Sequence, residues 1–136
     1  MKTTAPDAHL RYADYVTWPE DERWELIDGE AFAMAPAPST GHQSVVGNVF
    51  EQLRRHFGRG RCRVFISPCD VVLPADPSQP TEEADTVVQP DVLVVCDPNK
   101  IKPAYILGAP DLCVEVLSPS TTRKDAGKKR DLYQRA

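Results

Sequence analysis

Two carboxylates stand where an idle charge would be costly. Asp91 follows Pro90 at the head of the apolar run Val92 to Cys96, and Glu115 lies between Val114 and Val116 inside Cys113 to Leu117. An ionised carboxylate in an apolar strand is strongly disfavoured unless it is paired or bound to a cation. On neighbouring strands the two would make an oxygen-lined site suited to magnesium, which takes one or two carboxylates together with waters and phosphate oxygens. The competing reading is a buried salt bridge, joining Glu115 to Arg123 or to a lysine of the last helix.

That last helix carries Asp125, Lys129 and Tyr133 at spacing i, i+4, i+8, which places them on one face with Leu132 beside Tyr133. A lysine beside two carboxylates and a metal stays charged. It can orient an attacking water or neutralise charge that develops on a phosphoryl group. Its competing reading is a side chain that covers the helix–sheet seam and keeps its ammonium in water.

The elements that must position these groups read as follows. Arg11 to Glu20 fits a short amphipathic helix that Pro19 helps to end. Trp24-Glu25-Leu26-Ile27, Asp28-Gly29 and Glu30-Ala31-Phe32-Ala33-Met34 form a strand, a two-residue turn and a returning strand. Ser39 or Thr40 caps a long helix whose apolar residues Val45, Val46, Val49, Phe50, Leu53 and Phe57 recur at helical spacing up to Gly58. Cys62 to Ile66 and Val71 to Leu73 read as strand interrupted around Ser67-Pro68. A polar, proline-rich and mobile loop is expected between Pro74 and Gln89. Val87 to Cys96 and Leu112 to Leu117 read as central strands buried on both faces, and a final helix starts near Thr122. The sum is one mixed α/β layer structure.

Length and charge narrow the function. A chain of 136 residues suits a single domain over 1–136, and its 41% hydrophobic and 26% charged residues are ordinary for a globular protein. No apolar run is long enough to span a bilayer, and Met1 to Leu10 has no secretory pattern, so the expected location is cytoplasmic and no membrane partner is expected. Cys62, Cys69, Cys96 and Cys113 form no CxxC pair and read as free thiols packed as small hydrophobes. Sixteen basic against twenty acidic residues give a net charge of -4, so any grip on nucleic acid must be local. Two clusters could supply it: Arg54, Arg55, Arg59, Arg61 and Arg63, and Arg123, Lys124, Lys128, Lys129, Arg130 and Arg135. Solvated helix faces are the competing reading of each.

Four segments in order, Trp24-Glu25-Leu26-Ile27-Asp28-Gly29-Glu30, Gln89-Pro90-Asp91-Val92-Leu93-Val94-Val95, Val114-Glu115-Val116-Leu117-Ser118-Pro119-Ser120 and Asp125-x-x-x-Lys129-x-x-x-Tyr133, resemble the Uma-two family of restriction-type endonucleases. The resemblance covers nearly the whole chain and implies membership of the PD-(D/E)xK nuclease superfamily. It implies a restriction-endonuclease-like core, with a mixed central sheet flanked by helices. It further implies a divalent cation, Mg2+ with Mn2+ as substitute, and hydrolysis of DNA phosphodiester bonds. Carried over by residue, Asp91 matches the aspartate of the Pro-Asp motif and Glu115 the acidic residue of the (D/E)xK motif. Both would be metal ligands, and the Val116 carbonyl is a plausible third.

The usual strand lysine is replaced by Leu117, and Lys129 is the family match from the helix, with Lys128 as fallback. Glu25 matches an acidic position that would add a third carboxylate, against a competing reading as an exposed strand residue. His42 resembles a position often held by histidine, read first as a hydrogen-bonded residue at a helix end. Family members usually continue past the Tyr133 helix with further strands, so the domain is expected to lack them. A homodimer would let both DNA strands be cut, although no interface can be read. Two rivals remain: an inactive interaction domain that keeps the fold, favoured by the acidic pI and the absent strand lysine, and a metal-dependent hydrolase of small phosphoesters.

Overall fold

The computed structural model describes residues 8–34, 38–117 and 123–135, with the backbone alone over 123–128. The expected helix start near Thr122 and the side chains of Arg123, Lys124, Asp125 and Lys128 therefore lie outside the described residues. Three α-helices, α1 (Tyr12–Tyr15), α2 (Thr40–Phe57) and α3 (Arg123–Arg135), accompany eight strands: β1 (Trp24–Ile27), β2 (Glu30–Ala33), β3 (Arg63–Ile66), β4 (Val71–Val72), β5 (Val87–Val88), β6 (Val92–Val95), β7 (Ile106–Leu107) and β8 (Leu112–Val114).

The hairpin forms in the expected register, with Ile27 opposite Glu30 and Trp24 opposite Ala33. Its turn places Asp28 at φ 50° and Gly29 at φ 83°, the left-handed pair that matches strand twist in a two-residue hairpin. Gly29 is doubly required, because a Cβ there would run into the His9 ring. The long helix also forms as expected: the Ser39 hydroxyl accepts the His42 N–H at its start, which satisfies one of the orphan donors of the first turn. It packs against β3 and β6.

Several expectations need correction. The first helix stops at Tyr15, because the N–H groups of Thr17 and Trp18 turn to the carbonyls of Asp14 and Tyr15, three residues back. The expected strand Val87 to Cys96 is two strands in two different sheets. Pro90 has no N–H to give a ladder, and the Gln89 N–H leaves for the Glu25 carboxylate at 2.8 Å. The result is a five-stranded mixed sheet, β2-β1-β5-β4-β7, and a three-stranded antiparallel sheet, β3-β6-β8. The Pro74 to Gln89 segment is less loop-like than its composition suggests. It contains a 3-10 turn at Thr81–Glu83, buries Ala84 and Thr86, and ties into the fold where the Tyr12 N–H donates to the Ala84 carbonyl. Finally, Cys62 and Cys96 are joined in a disulfide rather than free. They lie one position beyond the Arg63–Val95 pair of the β3–β6 ladder, so the antiparallel register itself brings them together. Cys69 and Cys113 are half-buried thiols. Burial pushes their pKa up, to about 11 and about 12 respectively.

Alternation along the strands sorts the core onto two faces. Leu26, Val72 and Val87 pack on one side with Leu10 and Ala84, against Tyr12, Tyr15 and Trp18. Ile27, Val71, Val88, Leu93 and Val95 pack on the other with Leu132 and Tyr133 of α3. By the two-residue period, Glu25 shares the face of Ile27, Asp91 that of Leu93, and Glu115 that of Cys113, which also packs with this second cluster. Glu25 and Glu115 thereby meet Lys129 of α3, while Asp91 meets His42 of α2. The strand β6 is fully buried, as expected. The strand β8 is an edge with β6 as its neighbour, and Leu112 is exposed, which corrects the expectation of a second central strand. Among the described residues, no helix is long and apolar enough to cross a membrane.

Candidate active site

Glu25 is buried in the middle of the hairpin, which removes its reading as an exposed strand residue. Its Oε2 accepts the Gln89 N–H at 2.8 Å and the Lys129 ammonium at 2.8 Å. Lys129 reaches Glu115 Oε1 at 2.5 Å as well, so one lysine of α3 bridges an acid of β1 to an acid just past β8. Its side chain is only 12% exposed, which rules out the reading in which the ammonium escapes to water. The Tyr133 hydroxyl donates to the same Glu115 oxygen at 3.0 Å. Tyr133 therefore orients the Glu115 carboxylate. Leu117, which occupies the place of the usual strand lysine, is 61% exposed.

Glu115 lies beyond the last ladder pair, Val92 with Val114, not in the middle of a strand. Side-chain bonds take over where the ladder ends. The Val116 N–H donates to Asp91 Oδ2 at 2.7 Å, and the Val116 carbonyl lies 2.9 Å from His42 Nε2. The same histidine nitrogen is 3.5 Å from Asp91 Oδ2. A carbonyl can only accept, so His42 Nε2 carries a proton, which it shares between the Val116 carbonyl and the aspartate. Among the described residues, His42 Nδ1 is buried without a hydrogen-bond partner. The residue is thus both hydrogen-bonded at a helix start and part of the cluster, joined to Asp91 and to the backbone beside Glu115.

The electrostatics show an unbalanced group. Burial raises the Glu115 pKa above the carboxylate range; Lys129 opposes this, while Glu25 and Asp91 add to it. Burial pulls Lys129 down, but the Glu25 and Glu115 carboxylates outweigh it and hold the ammonium charged above the ordinary lysine value. Tyr133 is raised by burial and then by Glu115. Among the described residues two acids, Glu25 and Glu115, grip one lysine while Asp91 stands beside Glu115, an excess of acids that a further cation could offset.

The donor set fits a magnesium-like ion. Among the described residues, Glu115 Oε2 and Asp91 Oδ1 accept no hydrogen bond, while the partner oxygen of each carboxylate is engaged. No three His, Cys, Asp or Glu side chains among the described residues form a ready cage, but Mg2+ needs only one or two carboxylates besides waters. The Val116 carbonyl keeps a second lone pair for such an ion. The salt-bridge reading of Glu115 is also realised, with Lys129 as its partner.

Sequence reasoning passed over one feature, a polar network behind Glu25. Gln89 Nε2 donates to Asp70 Oδ1 at 2.9 Å, and the Tyr15 hydroxyl donates to the same oxygen at 2.8 Å. Arg23 donates to Gln89 Oε1 through Nε at 3.1 Å and Nη2 at 2.9 Å. Its constituents are spread over 75 residues with no periodicity, so only the proximity of Gln89 to Pro90-Asp91 could have drawn attention to it.

Comparison with known proteins agrees with this architecture. A crystal structure described as a putative nuclease belonging to DUF820, from Anabaena variabilis, superposes with a TM-score of 0.67 at 19% identity, covering 88% of this chain and 65% of that one. An uncharacterized protein of Synechocystis sp., slr1290, is 31% identical over 132 residues, which is 96% of this chain and 65% of the relative. The chain thus spans 65% of the length of each. The family model Uma2, described as "Putative restriction endonuclease", matches residues 12–136. A mixed α/β core shared with a nuclease-like structure and a family match over nearly its whole length mean that the chain belongs to the Uma2 family of restriction-endonuclease-like proteins.

Proposed function

We propose that this chain is a Mg2+-dependent endonuclease that hydrolyses DNA phosphodiester bonds, with Asp91, Glu115, Lys129 and Glu25 as its catalytic groups. The observation that carries the reading is the buried Glu25–Lys129–Glu115 bridge beside Asp91, where acids outnumber cations. Asp91, Glu115 and the Val116 carbonyl would hold the metal. When bound, Mg2+, or Mn2+ in its place, would supply Lewis acidity and a water of lowered pKa.

The chain's own groups do the rest. Lys129 is kept charged by two glutamates, so it can donate to the oxygen on which negative charge develops. Glu25 fixes the lysine from behind, and the Gln89 N–H fixes Glu25. Tyr133 holds Glu115 in place, and His42 with Asp91 clamps Val116 from its carbonyl and N–H sides. The exposed arginines Arg54, Arg55, Arg59, Arg61 and Arg63 at the end of α2 would meet the phosphate backbone. Cleavage of both strands of a duplex would call for two such sites, as in a homodimer.

The test is cleavage of supercoiled and single-stranded DNA with Mg2+ or Mn2+, by the chain and by Asp91→Asn, Glu115→Gln and Lys129→Met. Metal-dependent nicking that all three substitutions abolish supports the reading. Nicking that survives them removes these residues from the chemistry. An inactive interaction domain is favoured by one observation, that Lys129 is already engaged by two carboxylates; it predicts neither cleavage nor Mn2+ binding by calorimetry.

A further inference from the structure

A cavity of about 330 Å³ opens between the turn joining β3 to β4 and the segment 101–106 leading into β7. This lies within the range of small-molecule sites, roughly 300–1,000 Å³. Phe65, Pro103 and Tyr105 give it flat, apolar walls, Asp70 and Gln89 give it a polar wall, and Lys102 also lines it. The carboxylate is held by the network described above: Oδ1 takes both the Tyr15 hydroxyl and the Gln89 amide, and Gln89 is itself held by Arg23. Asp70 Oδ2 has no hydrogen-bond partner among the described residues, and no cation pairs with Asp70 there. An oriented carboxylate with an oxygen open to the cavity is a ready acceptor for a ligand's donor.

We infer that this cavity binds a nucleobase carrying an exocyclic amino group. Three features argue for that class together. The amino group of cytosine, adenine or guanine donates to a carboxylate, whereas thymine sets two carbonyls beside its single N–H and meets Asp70 with like charge. Aromatic and proline walls accept the face of a planar ring. Lys102 offers a cation to the phosphate that a nucleotide brings with it. The base can come from a free nucleotide or from a substrate strand. The second source rests on the nuclease reading and has structural support in Gln89, whose side chain lines the cavity while its N–H holds Glu25 beside Lys129.

The experiment is calorimetric titration of the chain, in EDTA, with dCMP, dAMP, dGMP and dTMP. The amino-bearing nucleotides should bind, with dTMP weaker by about tenfold or more, the value of one good base-edge contact. Asp70→Asn keeps an oxygen for Tyr15 and Gln89 but replaces the free acceptor with a donor, so the preference over dTMP should vanish or invert. Ala104→Phe fills the exposed rim of the cavity without touching the network and should abolish binding, while an unchanged melting temperature shows that the fold persists. Equal affinity for dTMP, no binding of any nucleotide, or binding indifferent to both substitutions overturns the inference. A cleavage rate that changes when the bases flanking the cut are replaced by thymine assigns the base to the substrate strand; an unchanged rate, with mononucleotides still bound, assigns it to a free nucleotide. DNA cleavage without nucleotide binding sinks this inference and leaves the nuclease reading standing, and binding without cleavage does the reverse.

Discussion

Gln89 separates two polar regions with opposite designs. On its main-chain side, Glu25 and Glu115 hold Lys129 with Asp91 beside Glu115, and among the described residues carboxylate oxygens are left over and acids outnumber cations. On its side-chain side, Tyr15, Asp70 and Arg23 join the glutamine amide in a network where one carboxylate is held almost entirely by neutral donors. The first arrangement is costly in a buried setting, and on the proposed function a cation would complete it. The second is satisfied internally, apart from the oxygen turned to the cavity, and works by fixing direction. On the proposed function, charge imbalance would mark the chemistry and hydrogen-bond saturation the support.

The sharpest way to break this contrast is to neutralise the unbalanced side. Glu115→Gln or Asp91→Asn should lower cleavage by on the order of 10³-fold, read as the initial nicking rate with Mg2+, with the fold intact by circular dichroism. If either variant retains a rate within tenfold, the imbalance serves stability rather than catalysis. Lys129→Met preserves volume but leaves Glu25 buried beside a second acid. It should cost about 3 kcal/mol in denaturant unfolding, in the range for breaking a buried pair, besides abolishing cleavage. A smaller loss would mean that the buried pair contributes little to stability.

The Cys62–Cys96 link belongs to neither region and gives a reference of purely structural size. The bond spans 34 residues, so Cys62→Ser with Cys96→Ser should lower stability by roughly 3 kcal/mol and leave the metal dependence of cleavage unchanged. On the saturated side, Tyr15→Phe removes one donor from Asp70 and should cost about 1 kcal/mol, with the cleavage rate within a factor of three of the parent. The smallest effect belongs to the surface. Arg55 and Glu51 form an exposed pair, so Arg55→Ala should alter stability by less than about 0.5 kcal/mol. Its loss should still reduce the salt slope of DNA binding by about one, because a phosphate contact disappears.

The sequence made one of these regions legible and hid the other. Asp91, Glu115 and Glu25 stand out because a carboxylate in an apolar strand demands a partner, and Lys129 because helical spacing aims it at the sheet. The Asp28-Gly29 turn and the Ser39 cap were readable for the same reason: each local rule has a residue signature. The division of Val87–Cys96 at Gln89-Pro90-Asp91 was not readable, since a continuous apolar run looks the same whether its ladder is whole or interrupted. What interrupts it is a side-chain bond from Glu25, more than sixty residues earlier in the chain. The two-residue strands β4, β5 and β7 are too short to show a period, and the Cys62–Cys96 link depends on a register that spacing alone does not give. His42 was assigned a helix-end bond, which is present; its partner Val116 lies 74 residues away.

The bond from Val116 N–H to Asp91 Oδ2 has a practical consequence. The amide proton sits on the carboxylate proposed to hold the metal, so its exchange with solvent deuterium and its nitrogen-15 chemical shift report directly on whether that oxygen stays engaged. A titration with Mg2+ followed at this one resonance would separate an ion that uses the free Oδ1, leaving the amide protected, from one that pulls Asp91 away from the backbone and exposes it. The protein carries its own spectroscopic gauge of the candidate metal site, without an attached probe group.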